Sequence, residues 1–282
     1  MTECNKEIHL AFPQGPCFGV KRSIEICEKL LKKHDAVYCI HPLVHNEVVM
    51  QDLQKQGLIL EPHLENIPDN CWVILSAHGT SKDVVAELKN KGCHIVDAVC
   101  PLVLFVHKKA KETVISAGKV NIVGDPKHQE VVALLSDLPN DSYILAGENG
   151  KAIDPRFPTV FQSTTDPRVL QDLRNEGFSV VDTICFATKG RQKALDELIE
   201  NCDALVVLGS STSANTKHLA IKAQEAHKKV LLTLDLLQIE QFVQKISCVG
   251  IIAGASTPLY VVYDAYDRIV SAYEKICDYR SS

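Results

Sequence analysis

The sequence predicts an α/β fold with mainly parallel sheets, divided into three pseudo-equivalent modules. Two observations carry this. Strand-like and helix-like runs alternate almost from end to end, the pattern of βαβ units. Three segments also share the form strand, short loop, cysteine, amphipathic helix: IHLAFPQGPCFGVKRSIEICEKLLKK, HIVDAVCPLVLFVHKKAKETVISAG and FSVVDTICFATKGRQKALDELIENC. Their cysteines, Cys17, Cys100 and Cys185, are 83 and 85 positions apart, and near-equal spacing is the mark of a repeat. The modules are drawn at 1–99, 100–184 and 185–282, with C-terminal residues free to pack back on the first. Units of this size bury little surface alone and have to pack against one another.

In chain order, strands are expected at Ile8–Phe12, Ala36–Ile40, Trp72–Ser76, His94–Asp97, Val120–Gly124, Tyr143–Leu145, Thr159–Gln162, Ala204–Leu208, Lys229–Thr233 and Cys248–Ala253. Helices are expected at Val20–Lys33, Asn46–Gln56, Lys82–Asn90, Val103–Ser116, His128–Ser136, Asp166–Glu176, Arg191–Asn201, Ala214–His227 and Leu259–Cys277. The polar stretches around Pro139–Asp141 and Gly147–Gly150 read as loop. In such folds ligands lie at the carboxyl ends of strands, so the strand-to-helix loops are where chemistry is sought.

Composition narrows the classes. The chain has 282 residues, 46% hydrophobic and 23% charged, enough for a sizeable core without staples. Disorder, collagen and a small disulfide scaffold are excluded. Thirty basic against 35 acidic residues, net −5, argue against a surface broadly shaped for nucleic acid or anionic membrane, but leave room for one local anion site. The apolar runs Cys71–Ala77 and Ala204–Gly209 are strand-sized, not membrane-spanning. The N-terminus lacks the pattern of a signal peptide, so a cytoplasmic protein is expected.

Eleven cysteines without a secretion signal point to buried, catalytic or metal-binding thiols rather than disulfides. No CxxC pair occurs, so metal ligands would have to come from distant parts of the chain. Cys17, Cys100 and Cys185 each stand where a helix begins, and the positive end of the helix dipole favours thiolate there. Three thiolates are one short of closing a tetrahedral site, and an iron–sulfur cluster so held keeps one iron open. The competing reading is that these thiols are small packing residues, as Cys4, Cys27, Cys39, Cys71, Cys93, Cys202, Cys248 and Cys277 are taken to be.

Other loops carry polar groups in excess of what packing needs: Val44–Asn46, Ser76–Thr80, Gly124–Glu130, Gly209–Thr216 and Ala253–Pro258. Their side chains, with helix N-terminal amides, could bind phosphate or diphosphate. The alternative for Ser, Thr and Asn is ordinary helix capping. Glu130, two residues after His128, is either a proton donor with a raised pKa or a carboxylate drawn to a helix start. His9, His34, His63, His94, His107, His218 and His227 read as structural or surface residues, and His41 stays ambiguous. No GxGxxG, P-loop, HExxH or GxSxG pattern is present.

Taken together, GPCFGV, VHN, SAHG, DAVCPLV, HQEV, ICFATKGRQ, GSSTSANT and AGASTP, in this order from Cys17 to Pro258, resemble the IspH/LytB family of 4-hydroxy-3-methylbut-2-enyl diphosphate reductases. The resemblance covers nearly the whole chain. It implies three α/β modules in a trefoil around a central iron–sulfur cluster, [4Fe-4S] when intact, with one open iron. The family's cluster ligands fall on Cys17, Cys100 and Cys185. Its diphosphate-binding groups fall on His45, His78, His128, Ser213, Ala214, Asn215 and Ser256. Its acid falls on Glu130, aided by Ser163 or Thr164. Three positions depart from the family: Ser163 stands where a threonine is usual, Ala214 where a serine or asparagine is common, and Gln129 where the family has proline between the histidine and the acid, which keeps both functional side chains. The resemblance implies reductive dehydroxylation of an allylic diphosphate to isopentenyl and dimethylallyl diphosphate, the last step of the methylerythritol phosphate pathway. It also implies an external electron donor of ferredoxin or flavodoxin type and no nucleic-acid or membrane partner. Two alternatives stay open: a diverged, cluster-containing relative that takes another phosphorylated ligand or senses redox state, and a metal-free phosphosugar-binding protein.

Overall fold

A computed structural model describes residues 6–281. The chain forms two compact units. A terminal unit joins the segment up to Cys17 with the chain from Phe186 onward, and a central unit runs from Phe18 to Cys185.

The strands are β1 (Glu7–Leu10), β2 (Val37–Cys39), β3 (Leu58–Leu60), β4 (Trp72–Leu75), β5 (His94–Asp97), β6 (Val120–Val123), β7 (Tyr143–Leu145), β8 (Thr159–Phe161), β9 (Ala204–Leu208), β10 (Lys229–Thr233) and β11 (Cys248–Ala253). The helices are α1 (Phe18–Leu31), α2 (Glu47–Lys55), α3 (Lys82–Asn90), α4 (Pro101–Ala117), α5 (Gln129–Asp137), α6 (Pro167–Asn175), α7 (Phe186–Asn201), α8 (Ala214–Glu225), α9 (Leu236–Val243) and α10 (Leu259–Ser281). They build three small sheets, ordered β1-β11-β9-β10 in the terminal unit, and β3-β2-β4-β5 and β7-β6-β8 in the central unit. The strand pairings are parallel, as the alternation predicts.

Burial explains the strand sequences. All five residues of β9 are fully buried, because helices cover both faces of its sheet. Val206 and Leu208 pack with Ile239, Val262 and Ile269 of α9 and α10 on one face. Leu205 and Val207 pack with Leu195, Leu198 and Leu219 of α7 and α8 on the other. In the third sheet Ile122 and Val160 meet Val106 of α4 and Leu134 of α5.

Several elements differ from the sequence expectation, three of them most. The edge strand β3 was not expected, since three residues are too short to show alternation. The eight-residue α9 was missed for the same reason of length. Helix α7 starts at Phe186, directly after Cys185, not at Arg191. Burial of Ala187, Thr188 and Arg191 extends it through Gly190, overriding a glycine cost of about 1 kcal/mol.

The cysteines read as packing residues divide. Cys27, Cys39 and Cys202 are buried free thiols, while Cys71, Cys93 and Cys248 are free and half-buried. Cys277 is disulfide-bonded, contrary to that reading, and Cys4 lies outside the described residues. Among the described residues, no helix is long and apolar enough to cross a membrane.

Candidate functional site

In the central unit the functional side chains lie on loops at the carboxyl ends of strands. His45 follows β2, His78 follows β4, Cys100 follows β5, His128 follows β6 and Ser163 follows β8. Backbone hydrogen bonds stitch these loops together. The Ala77 N–H donates to Leu43 O at 3.1 Å, and the Cys100 N–H donates to Ala77 O at 3.0 Å. One ladder thereby fixes the His45, His78 and Cys100 loops.

The three imidazoles meet. His45 and His78 stack at 4.2 Å between centroids, and His128 stands edge-on to them at 5.2 and 5.4 Å. Each offers a ring nitrogen within 4.8 Å of the others. Such a cluster could take a cation or an anion, and His128 favours the anion. As N-cap of α5, its Nδ1 accepts the Glu130 N–H at 3.2 Å. That bond requires the neutral tautomer with hydrogen on Nε2, a donor rather than a metal ligand. Burial and then the neighbouring His45, His128 and His41 rings hold the His78 pKa well below its ordinary value. Its Nε2 is buried without a hydrogen-bond partner. His41, ambiguous in sequence, therefore belongs to the electrostatic surroundings of this cluster.

Glu130 is 1% exposed. A position in the first turn of a helix ordinarily favours the carboxylate. Here burial outweighs that, raising the pKa to about 7, although Ser163 pulls in the opposite direction. The Ser163 N–H donates to Glu130 Oε1 at 2.6 Å and its hydroxyl donates to Oε2 at 2.7 Å. The Ser163 carbonyl accepts the Cys185 N–H at 3.0 Å. A single residue thus ties the acid to the cysteine that opens α7. Thr164 Oγ1 accepts from Gln162 Nε2 at 2.9 Å, and Gln162 Oε1 accepts the Asp125 N–H at 2.9 Å. Cys100 is the N-cap of α4, with Pro101 in the first turn. Its Sγ lies over Gly19, where a Cβ would come within 2.2 Å, so only glycine fits there.

The terminal unit carries the remaining residues. Cys17 donates its N–H to Ala255 O at 2.9 Å, joining its loop to the one after β11. Arg191, 1% exposed, reinforces that junction. Its Nε donates to Ala253 O at 3.1 Å and its Nη2 donates to Gly15 O at 2.6 Å. Sequence reasoning gave Arg191 no role; its only signal was a place in the KGRQ run. Ser213 is the N-cap of α8, its hydroxyl accepting the Thr216 N–H at 3.4 Å. Ala214 opens the helix, where backbone amides lack intrahelical acceptors. Asn215 is 3% exposed, yet its Oδ1 and Nδ2 have no partner. Buried amides are normally satisfied, so this pair is shaped for a polar ligand. Ser256, after β11, is also buried.

Comparison with known proteins gives one consistent answer. The LytB protein family model matches residues 8–270. The 4-hydroxy-3-methylbut-2-enyl diphosphate reductase of Cutibacterium acnes (strain DSM 16379 / KPA171202) is 32% identical over 283 residues, covering 95% of this chain and 88% of that protein. The solved E-1-hydroxy-2-methyl-but-2-enyl-4-diphosphate reductase of Plasmodium falciparum superposes with a TM-score of 0.83 at 28% identity, over 93% of this chain and 87% of that one. A solved (E)-4-hydroxy-3-methyl-but-2-enyl diphosphate reductase, described as the terminal enzyme of the non-mevalonate pathway, gives 0.65 at 29% identity, over 94% and 99%.

Proposed function

Because the chain belongs to the LytB protein family, we propose that it reduces 4-hydroxy-3-methylbut-2-enyl diphosphate to isopentenyl and dimethylallyl diphosphate. The reaction breaks one allylic C–O bond. It consumes two electrons and two protons, releases the hydroxyl as water and forms one C–H bond. The substrate supplies no electrons, so an external one-electron carrier of ferredoxin or flavodoxin type completes the balance, and the cytoplasm is the compartment assigned.

The observation that carries this reading is the tie from Cys185 through Ser163 to Glu130. It joins a thiol at a helix start to a buried carboxyl that holds a proton near neutral pH. Cys17, Cys100 and Cys185 are the residues assigned to an iron–sulfur cluster. Their fit is chemical and steric: all three directly precede a helix and none is disulfide-bonded, and Gly19 leaves the space that the Cys100 sulfur needs. Held there, a four-iron cluster would supply the electrons and one Lewis-acidic iron without a protein ligand.

The chain's own residues do the rest. His45, His78 and His128 are assigned to the diphosphate as hydrogen-bond donors: His128 through Nε2, since its Nδ1 accepts the Glu130 N–H, and His78 by taking up a proton, since burial and the neighbouring rings hold it neutral. The family resemblance assigns Ser213, Asn215, Ser256 and the Ala214 amide to diphosphate binding as well. The unpartnered Asn215 amide supports this, and a backbone N–H at Ala214 replaces the side chain missing there. Glu130 delivers the proton to the leaving hydroxyl. Ser163 orients the carboxyl, and Thr164 stands beside it in the chain. Ser163 supplies the hydroxyl that the family's threonine would, without the methyl group.

The test is anaerobic. Chain purified without oxygen is assayed for iron and sulfide and for turnover with reduced methyl viologen. About four of each per chain and formation of both isomeric products are expected. A cluster-loaded chain without turnover would overturn the reaction, and a chain that binds no iron after reconstitution would overturn the cluster.

A further inference from the structure

We propose a zinc-type metal site in the terminal unit, formed by His9, Cys202 and Cys248 and independent of the reaction proposed above. A ring nitrogen of His9 and the two sulfurs all lie within 4.8 Å of one another.

The sheet explains how these residues meet. In the parallel register of β1 and β11, Glu7 lies opposite Cys248 and His9 opposite Gly250. Paired residues share a face and side chains alternate, so Glu7, His9 and Cys248 project from the same side. Gly250 belongs to that side too and has no side chain. A Cβ there would come within 3.1 Å of Cys202 Sγ and 2.6 Å of Leu205 Cδ2. The glycine therefore lets Cys202, just past the end of α7, rest its sulfur against the strand beside His9 and Cys248. Both cysteines are free thiols.

The donors select the ion. Two thiolates and an imidazole suit zinc and exclude magnesium or calcium, which take oxygen ligands. Three protein ligands leave a fourth position, and the side chains of His9 and Glu7 are 42% and 54% exposed, within reach of water. The Glu7 carboxylate lies 3.4 Å from His9 Nε2, and a carboxylate on the ring is the usual companion of a metal-bound histidine. Lys228 Nζ donates to Cys202 O at 2.8 Å, bringing a cation beside the sulfurs. Zinc binding would release the two thiol protons to solvent, and the divalent ion with two thiolates and a neutral imidazole would form a complex of zero net charge.

The experiment uses the full chain, loaded with its cluster and reduced. Zinc ion is titrated against a chromophoric chelator, and native mass spectrometry reads the stoichiometry. Wild type is expected to hold one more equivalent than Cys248→Ser, and His9→Ala is expected to bind that equivalent at least tenfold more weakly. Cys71→Ser is the control, because Cys71 and Cys93 are also neighbouring thiols, 3.8 Å apart. It is expected to retain the extra equivalent. X-ray absorption at the zinc edge is expected to show two sulfurs and at least one light-atom ligand. Equal zinc binding in wild type and the folded variants would overturn the site, as would a Cys202–Cys248 disulfide in place of the metal. If Cys248→Ser fails to fold, His9→Ala decides, since its ring is half-exposed on an edge strand.

Discussion

Ser163 holds Glu130 from two directions: its amide donates to one carboxyl oxygen at 2.6 Å and its hydroxyl to the other at 2.7 Å. Both bonds favour the charged form. Burial favours the neutral form and wins, leaving the pKa at about 7. Glu130 is therefore divided between acid and base forms near neutrality, the condition for an efficient proton donor.

Glu130→Gln keeps the shape and removes the proton. Turnover is expected to fall by about a hundredfold or more, with little change in substrate affinity. Measuring kcat and KM separately checks this; a variant with wild-type kcat would remove Glu130 from the reaction.

The same carboxyl governs a pH profile. The protonated form is the acid, so kcat/KM is expected to decline as pH rises through about 7. Stability follows the same proton. The folded pKa lies above the reference value of 4.5, so the folded state keeps a proton that the unfolded chain releases. This contribution is fully present below about 4.5, is lost as pH rises to about 7, and is constant above. Glu130→Gln is expected to be more stable than wild type at pH 8, by an amount of the order of 3 kcal/mol, and to match it near pH 4. Denaturant unfolding at the two pH values measures the difference.

Ser163→Ala removes the hydroxyl donor and leaves the amide. Losing a bond to the charged form raises the Glu130 pKa further, so the falling limb of the rate profile is expected to move to higher pH. Ser163→Thr, which keeps a hydroxyl at the same place, is expected to return it. A limb that stays in place in both variants would mean that the hydroxyl does not set this proton's affinity.

His78 is held neutral by burial and by the rings around it. A bound diphosphate supplies the opposing charge, so binding is expected to take up protons and to strengthen as pH falls below the ordinary histidine value. Calorimetry in two buffers of different ionisation enthalpy reads that uptake directly. His78→Phe is expected to weaken diphosphate binding by about tenfold or more, the loss of one charge-assisted hydrogen bond.

Arg191 acts at one remove, through the Gly15 and Ala253 carbonyls that frame the Cys17 loop. Arg191→Met leaves those acceptors buried without their donor, at about 1–3 kcal/mol for each. Arg191→Lys is expected to rescue little, because one ammonium cannot reproduce the fork. Beyond a lower melting temperature, both variants are expected to lose iron faster under a chelator. Unchanged iron retention alongside a lowered melting point would restrict Arg191 to a structural role.

Local chemistry determined much of this protein. Parallel strands came from the alternation of apolar and amphipathic runs. The Cys17, Cys100 and Cys185 helix starts came from a repeated motif. The His45, His78 and His128 loops came from polar residues placed after apolar strands. These signals are readable because each spans only a few neighbouring residues. Tertiary structure decided the rest. Glu130 could be a dipole-stabilised carboxylate or a neutral acid until its burial was known. Arg191 is an ordinary helix residue in sequence and becomes a loop clamp only where Gly15 and Ala253 present carbonyls to it. His9, Cys202 and Cys248 look unrelated along the chain, and they meet because β1 pairs with β11 across the opening left by Gly250. Desolvation and register depend on partners far away in sequence, and neither is encoded in any single segment.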